Sequence, residues 1–156
     1  ASQLVQEIEL LKDKRYTLSD LNISNDNSKA SLSVYENTVS GILVASNKKG
    51  LGGELTVFLD ALQKNDLRSL SAITPVVANY DALIKSLLAV KTPSGFATLH
   101  LRLIQSYSNI RDLSMMIQTM TTDPVGGIVA LREYKKEITV LETLAKEYAS
   151  FVPKQH

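Results

Sequence analysis

Residues 131–152 read LREYKKEITVLETLAKEYASFV, and their apolar side chains recur at alternating intervals of three and four residues. This spacing is typical of a helix that lies lengthwise against other helices, because it keeps one stripe of the helix surface on its neighbours. We call this stripe the C-terminal seam; it consists of Leu131, Tyr134, Ile138, Leu141, Ala145, Tyr148 and Val152. The sequence therefore predicts a long helix that buries this seam, including Leu141.

A second stripe with the same spacing lies in residues 96–120. It consists of Phe96, Leu99, Leu103, Ser106, Ile110, Leu113, Ile117 and Met120. Shorter apolar stripes predict helices over 2–15, 28–46 and 54–90, and the last range contains Pro75 and is either one kinked helix or two. These patterns predict an all-α protein: an antiparallel four-helix bundle (28–46, 54–90, 94–121 and 123–152) with an additional N-terminal helix.

The length of 156 residues fits a single domain. We expect residues 1–27 to form an N-terminal helix and connector, and residues 28–156 to form the bundle. Four helices are enough to close a bundle core, so we expect residues 1–15 to be an appendage. Asp123 followed by Pro124 predicts the start of the last helix, and Thr92 or Ser94 is expected to cap the helix before it.

The composition argues against several classes of function. Cysteine is absent, which excludes disulfides, thiol nucleophiles and thiolate metal sites. The net charge of +1 is spread along the chain, so the basic patch that nucleic-acid binding requires is lacking. No apolar run approaches the roughly 20 residues of a membrane span, so we expect membrane attachment only through a removed N-terminal anchor.

Catalytic and cofactor signatures are lacking as well. The positions three and four residues after His100 are Leu103 and Ile104, so no metal site is predicted on that helix, and we expect no cofactor. The serines lack the sequence context of a nucleophile. We expect the carboxylates of the last helix to be solvated surface charges among lysines; they are Glu133, Glu137, Glu142 and Glu147.

Four tyrosines fall on the predicted inner faces of the helices: Tyr35, Tyr80, Tyr134 and Tyr148. A buried tyrosine hydroxyl needs a hydrogen-bond partner. These tyrosines, together with His100, either line a semi-polar pocket for a ligand, or each hydroxyl reaches the edge of the bundle.

The last third of the chain contains, in order, Thr92-Pro93, Leu99-His100-Leu101, a seam with methionines, and Asp123-Pro124-Val125 before Leu131 and Tyr134. This arrangement resembles uncharacterised exported all-helical proteins of small-genome bacteria. The resemblance implies an exported helical protein and implies no catalytic or binding residue. The abundance of Ser, Thr and Asn also favours an extracytoplasmic location, in the periplasm or at the cell surface.

These observations favour a non-enzymatic helical-bundle module that acts through protein–protein contacts or by sensing. The alternative is a small-molecule carrier that holds an apolar ligand between helices near the tyrosines. A carrier is expected to contain a closed apolar pocket of at least about 300 Å³. An interaction module is expected to have a filled core and an exposed apolar patch.

Overall fold

The computed structural model describes residues 2–48, 53–119 and 122–151, and this part of the chain is mostly helical. Its α-helices are α1 (Ser2–Leu11), α2 (Lys29–Lys48), α3 (Glu54–Gln63), α4 (Thr74–Ala89), α5 (Ala97–Gln118) and α6 (Pro124–Ser150). Short 3-10 helices span Leu18–Asp20, Leu67–Ile73 and Ser94–Phe96. The predicted helical class is confirmed. The seam positions Met120 and Val152, the glycine loop at 50–52 and His156 lie outside the described residues.

The helix α5 and the residue before it carry the second predicted stripe, and this stripe is confirmed as the centre of the core. Its described positions, from Phe96 to Ile117, are all buried. The neighbouring helix α6 runs in the opposite direction, because Arg102 pairs with Glu147 whereas Ser106, one turn later, pairs with Glu137. The helix α4 packs on another side of α5.

The predicted arm over 54–90 is two α-helices with a 3-10 segment between them. After α3 ends, Asn65 adopts a left-handed backbone conformation with φ of 51°, which turns the chain. Pro75 lies in the first turn of α4, where its missing N–H costs nothing. In the short helix α3, Phe58 and Ala61 face the core; Leu59 and Leu62, which the 54–90 stripe also predicts as inward, are exposed.

Two connectors that the sequence predicts as loops pair with each other as short parallel strands. The strand β1 (Asn22–Ser24) lies beside β2 (Lys91–Pro93), with Asn22 opposite Lys91. The expectation that Thr92 or Ser94 caps α5 is wrong, because neither side chain bonds to the helix start. The side chain of Asn27 instead bridges the connectors: it donates to Ser94 Oγ at 2.8 Å and accepts from the amide of Gly95 at 2.9 Å.

The helix α6 does not bury the C-terminal seam. Of its described members, Tyr134 alone is buried, Ala145 is exposed, and the others are half-buried; these are Leu131, Ile138, Leu141 and Tyr148. The predicted burial of Leu141 and the predicted exposure of Glu133 and Glu137 are therefore wrong. The inner face of α6 is rotated because it meets polar side chains of α5, and its buried members include Ala130, Glu133, Glu137 and Leu144.

The first turn of α6 confirms the predicted helix start. Asp123 Oδ1 accepts a hydrogen bond from the amide of Gly126 at 3.0 Å, and Pro124 occupies the first helical position. A Cβ atom on Gly126 would lie 2.1 Å from Asp123 Oδ2. The sequence Gly126-Gly127 suggests either close packing by a neighbouring backbone or an irregular first turn. The structure explains the glycine at position 126 by a contact within the same turn: the absence of a side chain leaves room for the capping carboxylate of Asp123.

We predict that the cap and the glycine act as a unit. Asp123→Ala should lower the free energy of unfolding by about 0.5–2 kcal/mol, and Asp123→Asn should leave it nearly unchanged. Gly126→Ala should cost a similar amount by displacing the carboxylate, but it should cost less in the Asp123→Ala background, where alanine favours the helix. Urea denaturation measures all four variants; additive losses would contradict this coupling.

Candidate functional site

The structure divides the five predicted site residues into two groups. Tyr35, His100 and Tyr148 are joined by hydrogen bonds between α2, α5 and α6. Tyr134 and Tyr80 lie instead near Glu54, at the start of α3. One pocket lined by all four tyrosines does not form, so the two groups require separate interpretations.

The first group is a chain of hydrogen bonds in which each member donates to the next in the same direction. His100 Nε2 lies 2.7 Å from the carbonyl oxygen of Leu87, and a carbonyl only accepts, so Nε2 carries the imidazole proton. In the neutral ring Nδ1 is then an acceptor, and Tyr35 donates to it at 2.8 Å. The hydroxyl of Tyr35 has no second proton, so Tyr148 donates to Tyr35 at 3.0 Å. The chain therefore runs from Tyr148 inward to Leu87.

Burial keeps every member of this chain in its neutral form at neutral pH. It lowers the pKa of His100, and the hydrogen bond to Leu87 only partly opposes this effect. Burial also raises the pKa of Tyr35, and it raises the pKa of Tyr148 to about 12. The ring of Tyr148 stacks on Phe96 with centroids 5.9 Å apart, which fixes the outer end of the chain.

An apolar groove of about 440 Å³ opens beside Tyr148, between α2 and α6, with α5 as its floor. Its walls include Tyr35, Val39 and Leu43 of α2 and Leu141, Ala145 and Tyr148 of α6. The Tyr35–Tyr148 hydrogen bond closes one end. The wall of α2 extends from Tyr35 to Asn47, which is about 18 Å at 1.5 Å per residue. The groove is thus long and open to solvent.

The second group surrounds a buried carboxylate. The hydroxyl of Tyr134 donates to Glu54 Oε2 at 2.6 Å, and Glu54 has no exposed surface. Burial raises the pKa of Tyr80, and the charge of Glu54 raises it further. The ring of Phe58 meets the ring of Tyr134 edge-on at 5.6 Å. This group attaches α3 to α6. Sequence reasoning missed Glu54, which the pattern marks only as the first residue of a helix.

A third polar cluster joins the turn after α1 to α5 and α6. Lys12 Nζ lies 3.2 Å from Glu133 Oε2 and 3.5 Å from Glu137 Oε2. Ser106 and Asn109 donate to Glu137 Oε1 at 2.8 and 3.1 Å. The side chains of Glu133 and Glu137 are almost fully enclosed, so these contacts replace their hydration.

The carboxylate of Glu133 is held in its ionised form by neighbouring lysines. Burial works to raise the pKa of Glu133, but hydrogen bonds from Lys136 and Lys12 outweigh it, and the pKa lies below its usual value. A general acid needs a raised pKa, so Glu133 is unsuited to that role. Ile8 of α1 is also buried in the core, and the first helix is therefore more closely attached than the appendage we expected.

Metal and membrane features are not found in the described part of the chain. Its His, Asp and Glu side chains form no group of three or more that is placed to hold a metal ion. None of its helices is long and apolar enough to cross a lipid bilayer.

Comparison with protein-family models, with curated proteins and with solved structures finds no match to this chain. The resemblance to exported helical proteins therefore stays a prediction. The groove between α2 and α6 combines an accessible apolar surface with ordered polar groups at one end.

We predict that removing the Lys12 ammonium destabilises the fold, because the buried carboxylate of Glu137 loses its counter-charge and that of Glu133 keeps only Lys136. Lys12→Met should lower the free energy of unfolding by roughly 2–5 kcal/mol, since breaking an enclosed ion pair leaves uncompensated charge. The matched control is Lys14→Met, at an exposed neighbouring position that should change little. Adding Glu137→Gln to Lys12→Met should recover part of the loss. Equal effects of Lys12→Met and Lys14→Met would show that the cluster contributes nothing.

The lowered pKa of His100 predicts a loss of stability as the pH falls. Below about pH 6.5 the unfolded chain binds a proton that the folded protein resists, so the free energy of unfolding should decrease from pH 7 to pH 5. The slope for one proton is at most about 1.4 kcal/mol per pH unit. Urea denaturation across this range should give a flatter profile for His100→Gln. A wild-type profile as flat as that of the variant would contradict the prediction.

Proposed function

We propose that this protein is a non-enzymatic binding module that receives an amphipathic helix of a protein partner in the groove between α2 and α6. The observation that carries this proposal is the position of the C-terminal seam. Its last described members, Leu141, Ala145 and Tyr148, line the groove and are only partly covered.

The spacing of the seam favours a helix as the occupant. Apolar residues at alternating steps of three and four are typical of helices that pack along their length against another helix. In α6 the seam turns away from α5, so its covering is incomplete. The methyl group of Ala145 leaves space for a side chain of the partner. A groove of about 18 Å accommodates about three turns, the length over which docked helices place their anchors.

The interior of the protein supports a rigid binding module rather than an enzyme. Its buried tyrosines have raised pKa values, and both ring nitrogens of His100 are occupied by hydrogen bonds. The buried polar side chains are almost all hydrogen-bonded. Among the described residues, Ser114 Oγ is the one buried side-chain oxygen or nitrogen without a hydrogen-bond partner. We also propose the finer fold assignment, an antiparallel four-helix bundle, with α2, α4, α5 and α6 as its members.

The second candidate is a carrier of a small apolar ligand. The groove volume of about 440 Å³ favours it, because ligand pockets begin at about 300 Å³. A carrier encloses most of its ligand, however, and this groove is open along its length. Native mass spectrometry of the purified protein separates the candidates, since a carrier should retain a co-purifying ligand. An extracytoplasmic location is part of either proposal and rests on the polar composition of the chain.

The test of the proposal is a selection of helical peptides against the intact protein. The library displays amphipathic helices of about 14 residues with varied apolar positions, and we expect binders with micromolar dissociation constants. Ala145→Arg places a long cation inside the groove and should abolish their binding. The matched control is Val34→Arg, an exposed position of α2 outside the groove, which should leave binding unchanged.

The outcomes distinguish the candidates. Peptides that lose binding in Ala145→Arg and keep it in Val34→Arg support helix docking in the groove. If no library member binds and a ligand co-purifies with the protein, the carrier is favoured. Binding that is insensitive to Ala145→Arg would place the interaction elsewhere and remove the proposal.

A further inference from the structure

We infer that the partner helix presents a Lys or Arg side chain to the closed end of the groove, where Glu36 and the hydroxyl oxygen of Tyr148 receive it. This inference rests on the proposed function and adds the chemistry of the partner. Two independent features carry it: the direction of the hydrogen-bond chain that ends at Tyr148, and the charge of the groove lining.

The direction of the chain makes Tyr148 an acceptor. The hydroxyl of Tyr148 uses its only proton toward Tyr35, because Tyr35 uses its own toward His100. The oxygen of Tyr148 keeps lone pairs, and Tyr148 lines the groove. A ligand that bonds to this oxygen must therefore donate a hydrogen bond. Ammonium and guanidinium groups only donate, whereas a carboxylate only accepts.

The charge of the groove lining also favours a positively charged group on the partner. Among the described residues that line it, Glu36 is the one with a formal charge, and its side chain is exposed. Within the described part of the chain Glu36 forms no ion pair. Arg102 of α5 interacts electrostatically with Tyr148, but both of its terminal nitrogens are bound to Glu147. The closed end of the groove thus offers an uncompensated negative charge.

The aromatic lining strengthens the preference for a cation. Tyr107 and Tyr148 border the groove with half-buried rings. The face of an aromatic ring attracts ammonium and guanidinium groups. The alkyl part of a Lys or Arg side chain can pack on Leu103 of the floor while its charged end reaches Glu36.

The experiment uses three small probes that mimic the end of a partner side chain. The probes are n-hexylammonium, n-hexanol and hexanoate, which share an alkyl chain and differ in charge and in hydrogen-bonding capacity. Each is titrated into the isotopically labelled full chain, and the amide chemical shifts of α2 and α6 report binding. We expect n-hexylammonium to bind about 5- to 10-fold more tightly than n-hexanol, from one exposed ion pair and a cation–π contact. Hexanoate should not bind.

Two variants test the assigned partners. Glu36→Gln should reduce the preference for n-hexylammonium over n-hexanol to less than about 2-fold, since the ion pair is lost. Tyr148→Phe keeps the ring and removes the acceptor, and it should also reduce the preference. The matched control is Glu142→Gln, an exposed carboxylate of α6 outside the groove, which should retain it.

Every outcome is decisive. Equal binding of n-hexylammonium and n-hexanol, or a preference that survives Glu36→Gln, would overturn the inference and leave helix docking intact. If none of the probes shifts the groove amides, cation recognition is also overturned, and the peptide selection alone decides the proposed function.

Discussion

The carboxylates of Glu133 and Glu137 lie on consecutive turns of α6 and inside the protein, where charge is costly unless it is paired. Lys12 supplies the opposite charge from the turn that follows α1, and Ser106 and Asn109 supply donors from α5. These partners fix the rotation of α6 about its axis. With the glutamates turned inward, the apolar seam on the adjoining face is turned toward the groove.

Because of this rotation, two faces of α6 make different contacts. The inner face of α6 attaches α1 and α5, and it does so with charges and hydrogen bonds. The seam face borders α2 and is left partly open to solvent. The helix α5 is the common support, since it is buried along its length and provides both the donors to Glu137 and the floor of the groove.

Local patterns in the sequence predict the features that local physics determines. The stripe from Phe96 to Ile117 is buried as predicted, because α5 is covered by neighbours on several sides. The start of α6 is also predicted correctly, since the capping carboxylate of Asp123 and the amide of Gly126 that donates to it lie within one turn. The strands of three residues are too short to produce a periodic pattern, and the sequence therefore does not predict them.

Contacts between distant parts of the chain explain the features that the sequence predicts wrongly or does not predict. The inward rotation of α6 depends on Lys12, which is 121 residues from Glu133, and periodicity cannot show that a glutamate has such a partner. The sequence identifies Tyr35, His100 and Tyr148 as candidates but not their order of donation, which depends on the carbonyl of Leu87. Glu54 escapes notice because its partner Tyr134 lies 80 residues away.

The attachment of α2 at one end has a mechanical consequence for the groove. Asn27 fixes the chain just before α2, and the hydrogen bonds of Tyr35 fix its second turn, whereas Asn47 borders the groove at the far end. The described side-chain hydrogen bonds from this segment to other elements thus lie near the start of α2. A tilt of about 5° about Tyr35 displaces Asn47, about 18 Å along the axis, by about 1.6 Å. Such a tilt would change the width of the groove at its open end while the hydrogen-bond chain at the closed end keeps its geometry.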